Sequence, residues 1–286
     1  MKTILILSDF SENSTHAALS GVMLSKKLHA NILLFNSNVT RQVLPQYSGG
    51  PTVMDEFNFF EKQSKESLLK ISESLGPLLG QSGSDWKPSV NTLSGIGGLG
   101  PQLDDIIREK DIEMVVMGAR AGSAIDHILT GSETYAVIDR SSRPVLIIPL
   151  NSGLDHIRRV VFATNFIEED IKAIHYLIGL GHVFNFQLDI VHVNPVDDTD
   201  ITKSLREAEI VKHIHRQKYA HIHVVEIRGK DVIERLNRLC KESNADLLSF
   251  THYNESFLSR LFKQSTTKEA LSAQTTPLLI FPPNME

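Results

Sequence analysis

Short apolar runs alternate with longer amphipathic stretches along the whole chain. Thr3 to Ser8 is a continuous apolar run closed by Asp9, and Ala30 to Phe35 is another. Runs of this length, apolar without alternation, predict strands buried on both faces of a parallel sheet. Between them, Ser11 and Glu12 open a helix that extends to about Lys27. Pro45, Gly49, Gly50 and Pro51 mark residues 37–55 as a loop. Helical spacing returns from Phe57 to Leu75 and is expected to stop near Gly76-Pro77. Val90 to Leu93 predicts a third strand, Pro101 to Lys110 a helix, Ile112 to Met117 a fourth strand and Ile125 to Asp139 a helix. Pro144 to Pro149 predicts a fifth strand held between prolines.

The pattern then begins again. Val160 to Phe166 echoes Ile4 to Phe10, and Pro277 to Pro282 mirrors Pro144 to Pro149 almost residue for residue. Phe166 follows Phe10 by 156 positions and Pro277 follows Pro144 by 133, so the second copy is the shorter one. Its predicted elements are a strand from Phe186 to Val193, a helix over 201–215, a strand from His221 to Ile227 and a helix from Gly229 to Glu242. A strand from Ala245 to Phe250 and a helix from Phe257 to Ala273 follow. Repetition at this scale predicts two α/β domains, 1–150 and 151–286, joined at Asn151-Ser152-Gly153. Each would be an open five-stranded parallel sheet with helices on both faces. The terminal strands 144–149 and 277–282 are candidates to pair with each other. That pairing makes a pseudo-dimer within one chain, hides two apolar edges, and leaves a further homodimer open.

Composition narrows the function. The 286 residues are 41% hydrophobic and 22% charged, with a net charge of −5. No basic excess points to nucleic acid or to an anionic membrane surface. No apolar run approaches the roughly 20 residues that span a bilayer, and the chain opens directly on a strand with no signal sequence. A single cysteine, Cys240, rules out an internal disulfide and reads as a buried thiol; the expected setting is cytoplasmic.

Several residues together resemble the universal stress protein family: Asp9-Phe10-Ser11 after the first strand, Met117-Gly118 at the end of the fourth, Gly131-Ser132, and the closing Pro-Val-Leu-Ile-Ile-Pro strand. The duplicated layout is similar to the tandem members of that family. The resemblance implies a Rossmann-like fold of the adenine nucleotide alpha hydrolase-like kind. It also implies a Gly-x2-Gly-x9-Gly-Ser loop that wraps the phosphates of ATP or AMP, with Mg2+ accompanying ATP. Residues 118–132 match at Gly118, Gly131 and Ser132, while Ala121 stands where the second glycine belongs and Gly122 lies beside it. Alanine in a left-handed conformation costs roughly 1–2 kcal/mol. By the same resemblance Asp9 contacts the adenosine part, Leu7 and Asn36 line its pocket, and Met117 and Glu133 flank the loop. The second copy is expected to be degenerate: Asn165 replaces Asp9, and Thr251, Asn254, Gln264 and Ser265 occupy the loop positions without a glycine.

Other patterns are weaker. Nine of the twelve histidines lie in the second copy, but no cysteine or carboxylate joins them at a metal-binding spacing, so they read as surface and edge residues. The run from Gly95 to Gly100 reads as a strand-to-helix turn rather than a dinucleotide fingerprint, because it follows the third strand. No nucleophile elbow, HExxH or Walker lysine is present, so hydrolysis of the nucleotide would be slow at most. Two functions remain: a regulatory protein that binds an adenine nucleotide in its first copy, and a nucleotide-independent scaffold that binds a protein partner or another small ligand.

Overall fold

The computed structural model describes residues 1–38, 53–80, 86–119, 132–194, 208–214, 216–229, 231–252 and 276–285. The first copy contributes β1 (Thr3–Leu7), α1 (Glu12–Leu28), β2 (Asn31–Asn38), α2 (Val53–Gly80), β3 (Val90–Ile96), α3 (Leu99–Glu109), β4 (Ile112–Gly118), α4 (Ser132–Arg140) and β5 (Val145–Ile148). The second contributes β6 (Arg159–Ala163), α5 (Glu168–Phe184), β7 (Gln187–Asn194), β8 (Ile222–Arg228), α6 (Val232–Ser243), β9 (Leu247–Thr251) and β10 (Leu278–Phe281).

The ten strands among the described residues form one sheet in the order β3-β2-β1-β4-β5-β10-β9-β6-β7-β8. Within each copy the strands are parallel. The seam is the single antiparallel pairing, where Leu278, Leu279 and Ile280 face Ile147, Leu146 and Val145. Every one of these residues is buried, and burying such a side chain contributes roughly 1.5–3 kcal/mol. The two copies therefore share a core rather than merely a linker. The sheet ends on β3 and β8, whose half-exposed residues suit an outer edge. Further contacts cross between the copies. The Tyr135 ring of α4 meets the His252 ring edge-on at 6.4 Å, and the His16 ring nitrogen Nε2 lies 2.5 Å from the Ser152 carbonyl oxygen.

The alternation of side chains along β1 divides the core in two. Ile4 and Ile6 belong to the core layer that takes in α1, α2 and α5 on one face; Leu5 and Leu7 belong to the layer that takes in α3, α4 and α6 on the other. Three helices depart from the expected bounds. α2 runs on through Gly76 and Pro77 to Gly80, because Leu75 and Leu79, one turn apart, are both buried against the core. α3 starts at Leu99, which places Pro101 in the first turn, where a missing N–H costs no helical bond. α6 begins at Val232, after Gly229. The expected helix over 125–139 is described from Ser132 and that over 201–215 over residues 208–214; the one over 257–273 lies outside the described residues. Among the described residues no helix is long and apolar enough to cross a membrane.

The repeat extends to backbone conformation. Phe10 and Phe166 both adopt positive φ, 65° and 53°, at the turn from first strand to first helix. A non-glycine residue there costs roughly 1–2 kcal/mol. The residue two places earlier offsets it in each copy: the Phe10 N–H donates to Ser8 Oγ at 3.2 Å, and the Phe166 N–H to Thr164 Oγ1 at 2.8 Å. His29 and Asn185, with φ of 50° and 58°, close α1 and α5 in the same left-handed way.

Candidate functional site

In the first copy the strand order reverses between β1 and β4, and open α/β sheets take ligands beyond the strand ends at such a point. A cleft lies there. Leu7, Asp9, Asn36, Met117, Gly118 and Glu133, six of the residues singled out from the sequence, line it. Ala121, Gly122 and Gly131 lie outside the described residues. Ser132 opens α4, and its side chain is not described.

Each wall has a local cause. β1 ends at Leu7, and the left-handed turn at Phe10 directs the chain into α1. Asp9 holds that turn: its Oδ1 accepts the Ser11 N–H at 3.0 Å and the Ser11 hydroxyl at 2.5 Å. Burial pushes the Asp9 carboxyl pKa up, but hydrogen bonds from the Ser11 side chain and backbone and from Ser14 outweigh it and hold it below its ordinary value. Ser11 caps α1 in turn, its hydroxyl accepting the Ser14 N–H at 3.2 Å. Asn36 lines the cleft, yet its amide serves the frame. Nδ2 donates to the Ser8 carbonyl at 2.7 Å, and Oδ1 accepts the Ser64 hydroxyl at 2.7 Å. That pair of bonds ties β2, β1 and α2 together beneath the cleft.

Gly118 is fixed by close approach. A Cβ there would lie 2.4 Å from the Asn13 carbonyl oxygen and 2.8 Å from the Ser14 nitrogen, both backbone atoms of α1. Only glycine lets the end of β4 touch the start of α1, and the Asn13 amide fastens the contact by donating to the Ala119 carbonyl. The cleft is completed by Ser8, Ser14, Phe35, Ser37, Leu99 and Thr134, which the sequence reading did not single out. Ser8 and Ser14 face each other with hydroxyls 3.3 Å apart. Phe35 precedes Asn36 on β2, and Leu99 follows the glycine turn after β3. Ser37 anchors that turn by donating to the Gly97 carbonyl at 2.6 Å. Phe35 and Ser37 flank Asn36, so their positions were available from the second strand alone; Leu99 and Thr134 required the tertiary fold.

The arrangement combines apolar walls (Leu7, Phe35, Leu99, Met117) with hydroxyls, two carboxylates (Asp9 and Glu133) and the start of a helix on two sides, α1 and α4. Helix starts present unpaired N–H groups and a positive dipole end, which favour an anion. An apolar slot beside such an end suits a flat heteroaromatic ligand carrying a negatively charged tail.

At the same place in the second copy the described residues carry larger side chains that bond to one another. Asp170, fully buried, stands where Ser14 stands in the first copy, and Thr251 stands where Gly118 does. The Asp170 carboxyl accepts the Thr164 hydroxyl at 2.6 Å, the Thr251 hydroxyl at 2.8 Å and the Asn165 N–H at 3.3 Å. His192 replaces Asn36 and keeps its bond: Nδ1 lies 2.8 Å from the Thr164 carbonyl oxygen. Asn254, Gln264 and Ser265 lie outside the described residues. Cys240 is buried, and burial pushes its thiol up to about 12, which leaves it protonated and unreactive at neutral pH.

Comparison with known proteins agrees with this architecture. The model of the universal stress protein family matches residues 1–149 and again 156–282. A universal stress protein from Archaeoglobus fulgidus superposes with a TM-score of 0.69 at 19% identity, covering 98% of this chain and 96% of its own. A protein of Pseudomonas aeruginosa described as a universal stress protein superposes at 0.56 with 10% identity, covering 99% and 93%. No curated protein matches the sequence.

Proposed function

The chain belongs to the universal stress protein family as a tandem two-domain member, and from that premise we propose that its first domain, residues 1–150, binds an adenine nucleotide, ATP or AMP, as a regulatory ligand in the cytoplasm. The second domain, residues 151–286, serves as its structural and interaction-making partner. The observation that carries the proposal is the contrast at one topological position. Six expected residues line an open cleft in the first copy, whereas in the second the buried Asp170 carboxyl is bonded to Thr164, Thr251 and Asn165.

Leu7, Phe35, Leu99 and Met117 fit the adenine ring, Asp9 the ribose or purine edge, and the start of α4 at Ser132-Glu133 the phosphates. Ala121, Gly122 and Gly131 complete the phosphate loop in this reading, and Mg2+ enters with ATP to offset phosphate charge near Asp9 and Glu133. Binding then acts by favouring one loop arrangement over another through differential affinity.

Calorimetric titration of the full chain with ATP and AMP, with and without Mg2+, tests the proposal. Saturable binding at one site is expected. Asp9→Ala should weaken it about tenfold, the loss of one good charge-assisted hydrogen bond, while Asn165→Ala leaves it unchanged. Absence of saturable heat at millimolar nucleotide overturns the proposal in favour of a nucleotide-independent scaffold.

A further inference from the structure

The second copy carries a side-chain cluster that the sequence spacing did not connect. His175 lies on α5 and His213 on the helical stretch 208–214, 38 positions later, and the fold brings their Nε2 atoms to 3.0 Å. The rings sit 5.1 Å apart, tilted by 49°. The Gln217 side-chain amide is 3.2 Å from the same His213 Nε2, and exchanging its oxygen and nitrogen would place an acceptor oxygen there. Both imidazoles are reachable from solvent. Glu168, Glu169 and Glu209 line the depression next to His213 and give it a negative potential.

We infer that His175 and His213 form a two-imidazole site for a divalent transition-metal ion. In the metal-free protein one neutral ring donates its N–H to the other, so the two nitrogens already converge on one point. Metal–imidazole bonds are about 2.0–2.1 Å, and nitrogens 3.0 Å apart then subtend roughly 90–95° at the ion. That angle fits neighbouring positions of a square-planar or octahedral ion. A tetrahedral ion would hold the nitrogens farther apart. Cu2+ and Ni2+ therefore suit the pair better than Zn2+, and the general order of affinities also places Cu2+ first.

Among the described residues no group of three or more His, Cys, Asp or Glu side chains gathers to hold a metal. The protein thus supplies two imidazoles and at most the Gln217 amide; water takes the other positions. Ligation needs neutral rings. Bound metal would staple α5 to the stretch 208–214, which otherwise meet here through one shared proton.

The test uses untagged, chelator-washed full-length protein titrated with Cu2+ and followed by electron paramagnetic resonance and calorimetry. The spectrum of the first equivalent is expected to show splitting from two imidazole nitrogens. His175→Ala and His213→Ala should each remove that signature and weaken Cu2+ and Ni2+ at least tenfold, while His156→Ala, at an exposed residue of the linker region, changes neither. A first equivalent bound through a single nitrogen overturns the inference, as does undiminished affinity in His175→Ala and His213→Ala.

Discussion

The two copies share a backbone and differ in what occupies it. At the turn after the first strand they agree closely, down to the left-handed phenylalanine and the hydroxyl that holds it. A few ångströms away they diverge. The first copy has Ser14 and Gly118, a small hydroxyl and no side chain, in the wall of the cleft, with Gly118 packed directly on the Asn13 and Ser14 backbone. The second has Asp170 and Thr251 at these places, and their side chains bond to each other. Two substitutions along the same structural seam replace small groups with side chains that pair with each other. The polar groups that an anion would satisfy in one copy are satisfied by the protein itself in the other.

This contrast implies that the second copy has gained stability where the first retains a vacancy for a ligand. Asp170→Ala tests that most severely. It strands the buried Thr164 and Thr251 hydroxyls and takes the acceptor from the Asn165 N–H, and losing hydrogen bonds to a buried carboxyl should cost about 3 kcal/mol. Ser14→Ala in the first copy removes the matching side chain, whose hydroxyl donates to the Ser11 carbonyl at 3.0 Å, and should cost about 1 kcal/mol or less. Urea unfolding of both variants checks the difference; equal losses would dissolve the contrast.

Next in size is Gly118→Ala. The new methyl meets backbone atoms of Asn13 and Ser14 that cannot rotate away, so β4 and α1 must separate. Overpacking of this kind costs about 2 kcal/mol. The same displacement should lower nucleotide affinity, read by calorimetry on the folded variant. Smaller again is Thr251→Ala, which deletes one of the three donors to Asp170 and should cost about 1 kcal/mol in the same urea assay. A loss from Thr251→Ala larger than that from Asp170→Ala would mean that Thr251 acts through packing and not through the carboxyl.

The duplication, the strand count and the pairing of terminal strands were legible because they rest on local apolar patterning and on the near-identity of two six-residue runs. Six cleft residues were legible through the family resemblance, which attaches to the ends of β1, β2 and β4 and to the start of α4. Pro77 misled because its neighbours Leu75 and Leu79 carry the helix past it, a consequence of tertiary burial that local signals do not contain. Asp170 was missed because it looks like one of three acids in the first turn of a helix, Glu168, Glu169 and Asp170, where negative charge is ordinary. Only its inward direction separates it from the other two. The His175–His213 pair was invisible for a similar reason, since spacing along the chain says nothing about rings on different helices.

The smallest effect belongs to Asp9, and its sign separates a structural from a binding role. Its folded pKa lies below the ordinary 3.8 because hydrogen bonds from Ser11 and Ser14 outweigh burial. A depressed carboxyl contributes stability that is fully present above the unfolded value and disappears as pH falls through the folded one. Asp9→Asn should therefore be slightly less stable than the wild type at pH 7, and the gap should close below about pH 4 as the wild-type carboxyl takes up its proton. The carboxyl is half exposed, so the gap will be small, a fraction of the Asp170→Ala loss. Asn165→Asp supplies the mirror experiment. A carboxylate placed there finds Asp170 already holding the neighbouring donors, and should gain no such acid-sensitive stability. If Asn165→Asp instead becomes more stable at neutral pH and loses that gain in acid, then the second copy still accepts a first-copy carboxylate, and the line drawn between the two sites is misplaced.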